Sequence, residues 1–339
     1  MRNTHYKILL LLLIATGSII VAIGIGSVTI PPNQVIQILL HKIGWIPLPQ
    51  EIPETYPALV GDIRLPRVFL AFLIGAGTAV NGTVIQSVLK NPLASPYGVG
   101  VSAGAGVGAA LTMILGIATG AVLPMIGVVF GIGAVVVVLA VSAAIDRNLS
   151  NITVVLTGMV FSLFLNATMT FLATLSPKNA QKISLWQMGS FASKPWEYVW
   201  IFSVVLLVCS TIFLYYSNQL DLFTFGEEQA ATLGVNLKTT KWVLLVTMAT
   251  LTGTAVAFAG IIGFIDLISP HIVRKLFGSN HRIGIPANIL FGGTFMVLCD
   301  LLGRTLLSPR EIPIGAITAF LGAPFFVYIF LWERRKTPC

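Results

Sequence analysis

Residues 120–145 read GAVLPMIGVVFGIGAVVVVLAVSAAI, a run of 26 residues without a charged side chain. A helix that spans the hydrocarbon core of a bilayer needs about 20 mostly apolar residues, so this run is long enough to cross a membrane. Similar runs lie on both sides of it along the chain. The pattern predicts an all-α polytopic membrane protein.

The composition of the whole chain agrees with this prediction. Only 9% of the 339 residues are charged, where a soluble protein carries about 25%. Hydrophobic residues make up 56%, and the mean hydropathy is +0.91. A soluble globule must cover its exterior with polar groups, so this composition argues against a soluble enzyme, a nucleic-acid binder and a disordered scaffold. The net charge of +8 is typical of basic residues that meet anionic lipid at the cytoplasmic ends of membrane helices.

The sequence predicts about ten crossings. Arg2 and Lys7 precede the first run, which fits either a signal peptide or a spanning helix, and its length of about 20 residues favours a retained helix. The eighth run is short and contains Asp266 and Pro270. The ten predicted crossings are residues 8–28, 66–88, 96–117, 120–145, 151–174, 198–216, 242–260, 261–276, 283–302 and 313–332.

The distribution of basic residues predicts the orientation. With the N-terminus inside, 12 of the 20 Lys and Arg residues fall in inner segments and 8 in outer ones, and the basic tail 333–336 is also inside. Both termini are then cytoplasmic. Two long outer segments, 29–65 and 175–197, read as surface caps, and 217–241 is the longest inner loop. No linker marks a second domain, so residues 1–339 are read as one membrane domain.

Small residues crowd two of the predicted crossings. Residues 75–82 contain three glycines, and Gly100, Gly104 and Gly108 are spaced four apart, which places them on one helical face. Small faces let helix backbones approach closely inside a membrane, where lipid gives no hydrophobic drive for association. The pattern therefore favours close helix packing. The alternative is that some of these faces slide or line a path.

The sequence lacks the motifs that are typical of several kinds of chemistry. The chain has no phosphate-binding loop and no Gly-Lys pair, so it is predicted to hold no ATP site, and it has no metalloprotease or nucleophile-elbow motif. Three cysteines, Cys209, Cys299 and Cys339, have no metal-ligand spacing, and basic residues surround His271 and His281. We expect no cofactor, no metal and no enzymatic activity. The few polar residues inside the crossings form no proton relay, which argues against an ion-coupled transporter: Asn81, Gln86, Asn166, Asp266 and Asp300.

Six segments, in order along the chain, resemble the FecCD-type permease family, the membrane subunits of ATP-driven importers for iron–siderophores, haem and cobalamin. The sequence departs from the family pattern in three places. Lys90 and Ser95 stand where the family usually has arginine and an acidic residue, and Asp266 stands where it usually has glycine. The matching segments are Arg64–Arg67, Gln86 with Lys90–Pro96, Trp186–Ser190, Gly226–Gly234, Gly260–His271 with Arg274, and Asp300–Arg304 followed by Glu311–Pro324.

The resemblance implies a fold like that of the cobalamin-importer permease, with ten helices in each subunit. It also implies a second permease subunit, identical or different, two cytoplasmic ATPase subunits and one extracytoplasmic binding protein. Helices five, eight and ten are expected to contribute to a path between the two permeases. The protein is then an importer subunit in a bacterial cell membrane. We expect an iron–siderophore substrate; cobalamin and haem are alternatives within the class, and an ion-coupled transporter and an intramembrane enzyme are alternatives outside it.

The resemblance also implies two groups of functional residues. The inner loop 217–241 corresponds to the family's coupling segment, which docks in the ATPase, although an ordinary solvated loop is the alternative. The outer arginines are expected to meet glutamates of the binding protein, since guanidinium forks suit carboxylates; contact with lipid headgroups is the alternative. The coupling residues are Gly226, Glu227, Glu228, Ala230, Ala231, Leu233 and Gly234, and the docking residues are Arg64, Arg67 and Arg304.

Overall fold

The computed structural model describes residues 2–26, 28–146 and 149–336, and the side chains between residues 4 and 328 of these ranges. Arg147, the side chains of Arg2 and the tail 333–336, and Cys339, all used above, lie outside this description. The described residues form helices, turns and loops and no strand. The helices are α1 Arg2–Gly24, α2 Pro32–Lys42, α3 Thr55–Ala58, α4 Leu65–Val88, α5 Val101–Ile114, α6 Val122–Ile145, α7 Asn151–Leu175, α8 Pro177–Gln187, α9 Trp196–Tyr215, α10 Ser217–Phe225, α11 Glu227–Thr232, α12 Leu237–Ala259, α13 Ile265–Phe277, α14 His281–Thr305 and α15 Ile314–Lys336.

The predicted crossings correspond to ten of these helices. Within the described residues, seven helical segments are long and apolar enough to span a membrane: α1, α4 with the helical turns before it, α6, α7, α9, α12 and α14. Helix α15 has 23 residues and is apolar over Ile314–Tyr328, the part whose side chains are described. Two helices are shorter, since α5 has 14 residues and α13 has 13. The all-helical fold with about ten membrane helices is therefore confirmed, although α5 and α13 are too short to span the bilayer by themselves.

Helix α4 lies at the centre of the bundle. In its most apolar window 83% of the residues are buried, against 78% for α12 and 17% for α7. Close contacts with α14 and α13 explain this burial. The backbone of Gly75 packs directly against that of Gly292 in α14, and Gly82 packs against the backbone of Asp266 in α13. A side chain at either glycine would collide with backbone. These contacts support the packing interpretation of residues 75–82.

The glycines of α5 have two different roles. A Cβ atom at Gly104 would lie 2.6 Å from the carbonyl oxygen of Phe130, and one at Gly108 would lie 3.0 Å from the Phe130 side chain, so both sit where α5 crosses α6. Gly100 was expected on the same helical face. It instead precedes the helix as its N-cap with φ +90°, a left-handed conformation that glycine adopts without strain.

The eighth crossing is a broken helix. After α12 ends, residues 260–264 are not helical, and Phe264 has φ +72°. Helix α13 then begins inside the protein and continues through Pro270. Proline lacks the N–H that would bond the carbonyl oxygen of Asp266, four residues earlier. Gln86 of α4 supplies the missing donor: its Nε2 lies 3.1 Å from that oxygen.

The long segments between crossings contain helices of their own. The segment predicted as one outer cap at 29–65 holds α2, α3 and a π-helical turn at Leu59–Arg64 that leads directly into α4. The cap at 175–197 holds α8, and the inner loop 217–241 holds α10, α11 and the start of α12. These elements are too short to be predicted from the length of a hydrophobic run. Packing against the bundle stabilises them.

Candidate functional site

The coupling segment, defined here as α10 and α11 with the turns at Gly226 and Gly234, lies at one end of the bundle. Gly226 has φ +123° and Gly234 φ +85°, so two left-handed glycines separate α11 from its neighbours. Glu227 and Glu228 stand in the first turn of α11, where the helix dipole favours carboxylates. Gly226 and Gly234 therefore mark the two ends of this short helix.

The predicted coupling residues divide into an exposed and an inward group. Glu228, Ala231, Leu233 and Gly234 are exposed, and Leu233 is 67% accessible. Ala230, in contrast, is fully buried, so its side chain offers no surface to a partner in this structure. The exposed Phe225, which the sequence analysis did not include, adds a second apolar side chain beside the turn at Gly226.

Glu227 points toward the transmembrane helices. Its Oε2 lies 2.8 Å from Nζ of Lys241 in α12, and the Lys241 side chain is completely inaccessible. The same Nζ donates to the carbonyl oxygen of Leu149, in the loop between α6 and α7, at 2.6 Å. From its place in the sequence, Lys241 is only one of the inner basic residues. It directly precedes the apolar stretch that begins at Trp242, and this position does not indicate Glu227 as its partner.

Asp221 of α10 makes a second connection. One of its carboxylate oxygens accepts hydrogen bonds from the backbone N–H of His281 at 3.0 Å and from Nδ1 of the same residue at 2.5 Å. Nε2 of His281 is joined to the hydroxyl of Ser87 in α4 at 2.8 Å. Asp221 therefore satisfies the first turn of α14 and links α10 to both α14 and α4. Both residues were absent from the predicted site.

At the opposite end of α4 and α14, here called the arginine end, two of the three predicted docking residues are buried. Arg64 is 4% exposed. Its Nη1 donates to the carbonyl oxygens of Ile23 and Gly24 at 2.8 and 3.0 Å, and its Nη2 donates to that of Val28 at 2.5 Å. Arg304 donates to the carbonyl oxygen of Ala22. The two guanidinium groups thus cap the C-terminal turn of α1.

Arg67 is the centre of an ion-pair network. It contacts Asp300 of α14 through Nη2 at 2.9 Å and Glu311 of the following loop through Nη1 at 2.6 Å. Asp300 is 1% exposed and also lies 3.6 Å from Nε of Arg304. The carboxylates expected from a binding protein are in this chain supplied internally. Arg64 and Arg304 offer almost no surface to a partner in this conformation. Their side chains are 4% and 7% exposed, and their guanidinium groups donate to backbone carbonyl oxygens.

The two departures near the broken helix contact each other. Asp266 is 1% exposed in the first turn of α13, and its carboxylate accepts a hydrogen bond from the Ser95 hydroxyl. Tyr97 donates to the carbonyl oxygen of Ile262 in the break at 2.6 Å. Ser95 also caps the 3₁₀ turn Pro96–Val99, because its hydroxyl accepts a hydrogen bond from the backbone N–H of Tyr97. The break is therefore held by polar side chains from the turn that follows α4.

The described residues contain no group of three or more His, Cys, Asp or Glu side chains that could hold a metal ion. The two described cysteines, Cys209 and Cys299, are buried and unpaired with each other. The polar side chains described above are committed to contacts between helices.

The sequence matches the FecCD transport family over residues 10–332. It is 34% identical over 329 residues to the Fe(3+)-citrate import system permease protein YfmE of Bacillus subtilis, which covers 97% of this chain and 96% of that protein. It is 38% identical over 291 residues to the cobalamin import system permease protein BtuC of Halobacterium salinarum, which covers 84% of this chain and 76% of that protein.

A solved structure agrees over almost the entire length. It is described as an inward-facing conformation of a metal-chelate type ABC transporter, and it superposes with a TM-score of 0.83 at 31% identity, covering 97% of this chain and 99% of that one. The family match, the two relatives and the similarity to the solved structure agree on one family. This chain belongs to the FecCD transport family, the membrane permease subunits of ABC importers.

Proposed function

We propose that the chain carries an iron–siderophore chelate into a bacterial cell as one of two permease subunits in the cell membrane. Two cytoplasmic ATPase subunits drive it, and an extracytoplasmic binding protein delivers the chelate. The observation that carries the proposal is the coupling segment, which exposes Phe225 and Leu233 at 65% and 67% while its other face is fixed to the bundle. Exposed apolar side chains on either side of the short anchored helix α11 suit docking in a groove of a motor subunit.

The orientation in the proposal follows from this segment. Its end of the bundle is the cytoplasmic one, so the arginine end faces outward and both termini are cytoplasmic. The binding protein then docks at the arginine end. There Arg67, 12% exposed, and Glu311, 44% exposed, form the accessible part of the ion-pair network. Arg64 and Arg304 contribute indirectly, because they hold the end of α1 in place beside that surface.

The second permease subunit packs against α7. This helix is the least buried of the candidate spans, and it exposes Asn166 near its middle. A polar amide that faces lipid hydrocarbon is costly, whereas one that faces a neighbouring subunit or an aqueous path is satisfied. Phe320, 77% exposed, lies on α15, which with α7 and α13 is one of the three helices that the resemblance assigns to the path. Together α7 and α15 form our proposed wall of the translocation path.

The substrate assignment rests on the family and its relatives. An iron–citrate importer permease is 34% identical to this chain along nearly its whole length, which supports a ferric chelate. A cobalamin importer permease is 38% identical, and cobalamin therefore stays the second candidate, with haem as a further alternative in the class. A bulky chelate needs a wall of small and apolar residues from which it can leave again. Selectivity then lies mainly with the binding protein.

The experiment is uptake into proteoliposomes that contain the permease dimer with its ATPase subunits and binding protein. We expect uptake of a radiolabelled ferric siderophore only with ATP and with all components present. Uptake that persists without the ATPases, or that follows an imposed ion gradient, would contradict an importer of this class. Parallel assays with labelled cobalamin and haem distinguish the substrates, because only the cognate compound should itself be taken up in the presence of ATP.

A further inference from the structure

The coupling segment is held to the transmembrane helices by two separate polar joints. The first is the pair of Glu227 in α11 and Lys241 in α12, with Oε2 and Nζ 2.8 Å apart. The second is Asp221 in α10 with His281 in α14, which also contacts Ser87 in α4 at 2.8 Å. A weaker contact, from Nζ of Lys90 to the carbonyl oxygen of Phe225 at 3.2 Å, ties the turn between α10 and α11 to the end of α4.

The helices to which these joints connect the coupling segment, α12, α14 and α4, are the more buried helices of the bundle. Helices α4 and α12 are 83% and 78% buried in their apolar windows, and α14 is 56% buried. The peripheral helices α7 and α9, at 17% and 33%, receive no side-chain hydrogen bond from this segment among those of the described residues, although α9 continues directly into α10 through Tyr216. The two polar joints would therefore carry a displacement of α10 and α11 to the buried helices.

The chemistry of the first joint is costly for a purely structural contact. The Lys241 side chain is inaccessible, and an ammonium group inside a protein loses its hydration, which its partner carboxylate and one carbonyl oxygen only partly replace. An apolar side chain of similar length would fill the same space without that loss. A buried ion pair is therefore weak evidence for added stability, and its best-attested other role is to fix one arrangement of two elements relative to each other.

We propose that Lys241 and His281 are positioning residues that transmit the movement of the coupling segment to α12 and to α14 with α4. Lys241 acts through Glu227 and His281 acts through Asp221. The proposal rests on the proposed function, since it presupposes that an ATPase moves the segment. Neither residue contacts the ATPase itself, because Lys241 is inaccessible and His281 is 3% exposed. Their loss should uncouple ATP hydrolysis from transport and leave assembly intact.

The first measurement tests the joint in the purified chain. We expect amide hydrogen exchange of residues 227–232 to rise at least tenfold in Lys241→Met and in Glu227→Gln. The matched control is Lys182→Met, which removes an exposed lysine of α8 and should leave that exchange unchanged. Unchanged exchange in the joint variants would overturn the proposal, whether or not the chain proves to be an importer.

The second measurement uses the complete importer and compares transport per ATP hydrolysed. We expect Lys241→Met, Glu227→Gln and the double variant to lower this ratio by the same factor, about tenfold, since the joint is one unit. The double variant contains no unpaired buried charge, so it also covers the case in which Lys241→Met folds poorly. His281→Gln should lower the ratio independently.

Two outcomes of the second measurement would overturn the proposal. One is an unchanged ratio in variants that assemble, and the other is loss of ATPase binding, which would place Lys241 in docking rather than transmission. If the natural importer shows no ATP-dependent uptake, the proposed function fails instead. The exchange measurement still decides whether the joint exists, so the two failures are distinguishable.

Discussion

The hydroxyl of Ser95 donates a hydrogen bond to the carboxylate of Asp266, although 171 residues separate them in the chain. These are two of the three positions at which the sequence departs from the family pattern it resembles. The pattern usually has an acidic residue at the first and glycine at the second. In this chain the contact joins one hydroxyl to one carboxylate, and the carboxylate belongs to Asp266.

This contact predicts that the two positions exchange as a pair. Ser95→Asp alone places a second carboxylate against buried Asp266, and we expect the free energy of unfolding to fall by roughly 1–3 kcal/mol. Adding Asp266→Gly removes the repulsion and should recover most of the loss. Thermal unfolding in detergent measures both. Simple additivity of the two single effects would contradict a direct contact between the side chains.

Gln86 and Pro270 form a second pair that mutagenesis can separate. Gln86→Leu leaves the carbonyl oxygen of Asp266 without a donor, and we expect a cost of about 1–3 kcal/mol in unfolding free energy. Pro270→Ala restores the N–H that can bond the same oxygen within α13. In that background the cost of Gln86→Leu should fall below about 1 kcal/mol. An equal cost in both backgrounds would show that Gln86 acts elsewhere, for instance through its contact with Arg274.

The ion pairs at the arginine end should differ sharply in their contribution to stability. Arg67→Met leaves the inaccessible Asp300 beside a weaker partner, and we expect a loss of about 3–5 kcal/mol in unfolding free energy. Lys42→Met is the matched control, because the Lys42–Asp62 pair has the same type of contact at 3.2 Å but is 46% and 69% exposed. It should cost less than about 1 kcal/mol. Similar losses for both variants would mean that Arg304 already compensates Asp300.

The exposed apolar side chains of the coupling segment should govern ATPase binding. Leu233→Asp puts a charge on a surface that we expect to become buried against the motor subunit, and affinity for the ATPase should fall at least tenfold, equivalent to about 1.4 kcal/mol. The melting temperature of the permease should not change. Leu185→Asp, on exposed α8 at a distance from this segment, serves as the control. Full affinity in Leu233→Asp would exclude this surface from the interface.

Much of the fold could be predicted because its signal is local. A run such as 120–145 shows its length and lack of charge directly, and so the ten crossings and the helical class follow from the sequence. The coupling helix was also predictable, since Gly226 and Gly234 mark its two ends. The short helices α2, α3 and α8 were missed because each is too brief for a periodic pattern to stand out.

The partners of the polar residues could not be predicted in the same way. Arg64, Arg67 and Arg304 were expected to meet a binding protein because the family resemblance implies it. Their positions near helix ends equally fit a guanidinium group turned inward. Lys241 and Glu227 are only 14 residues apart, yet the direction of their side chains depends on how α11 folds back onto α12.

The amino-acid sequence by itself determined the membrane class, the number of membrane crossings as about ten, and the family pattern, and it predicts the place of the coupling segment. Each of these depends on neighbouring residues along the chain, where apolar run length and turn-forming glycines act. Only the tertiary structure decided that Arg64 caps α1, that Ser95 meets Asp266 and that Lys241 holds the coupling segment. Those contacts join residues from different helices, and the packing of the bundle, with its closely crossing glycine-containing helices, determines which charges end up facing each other.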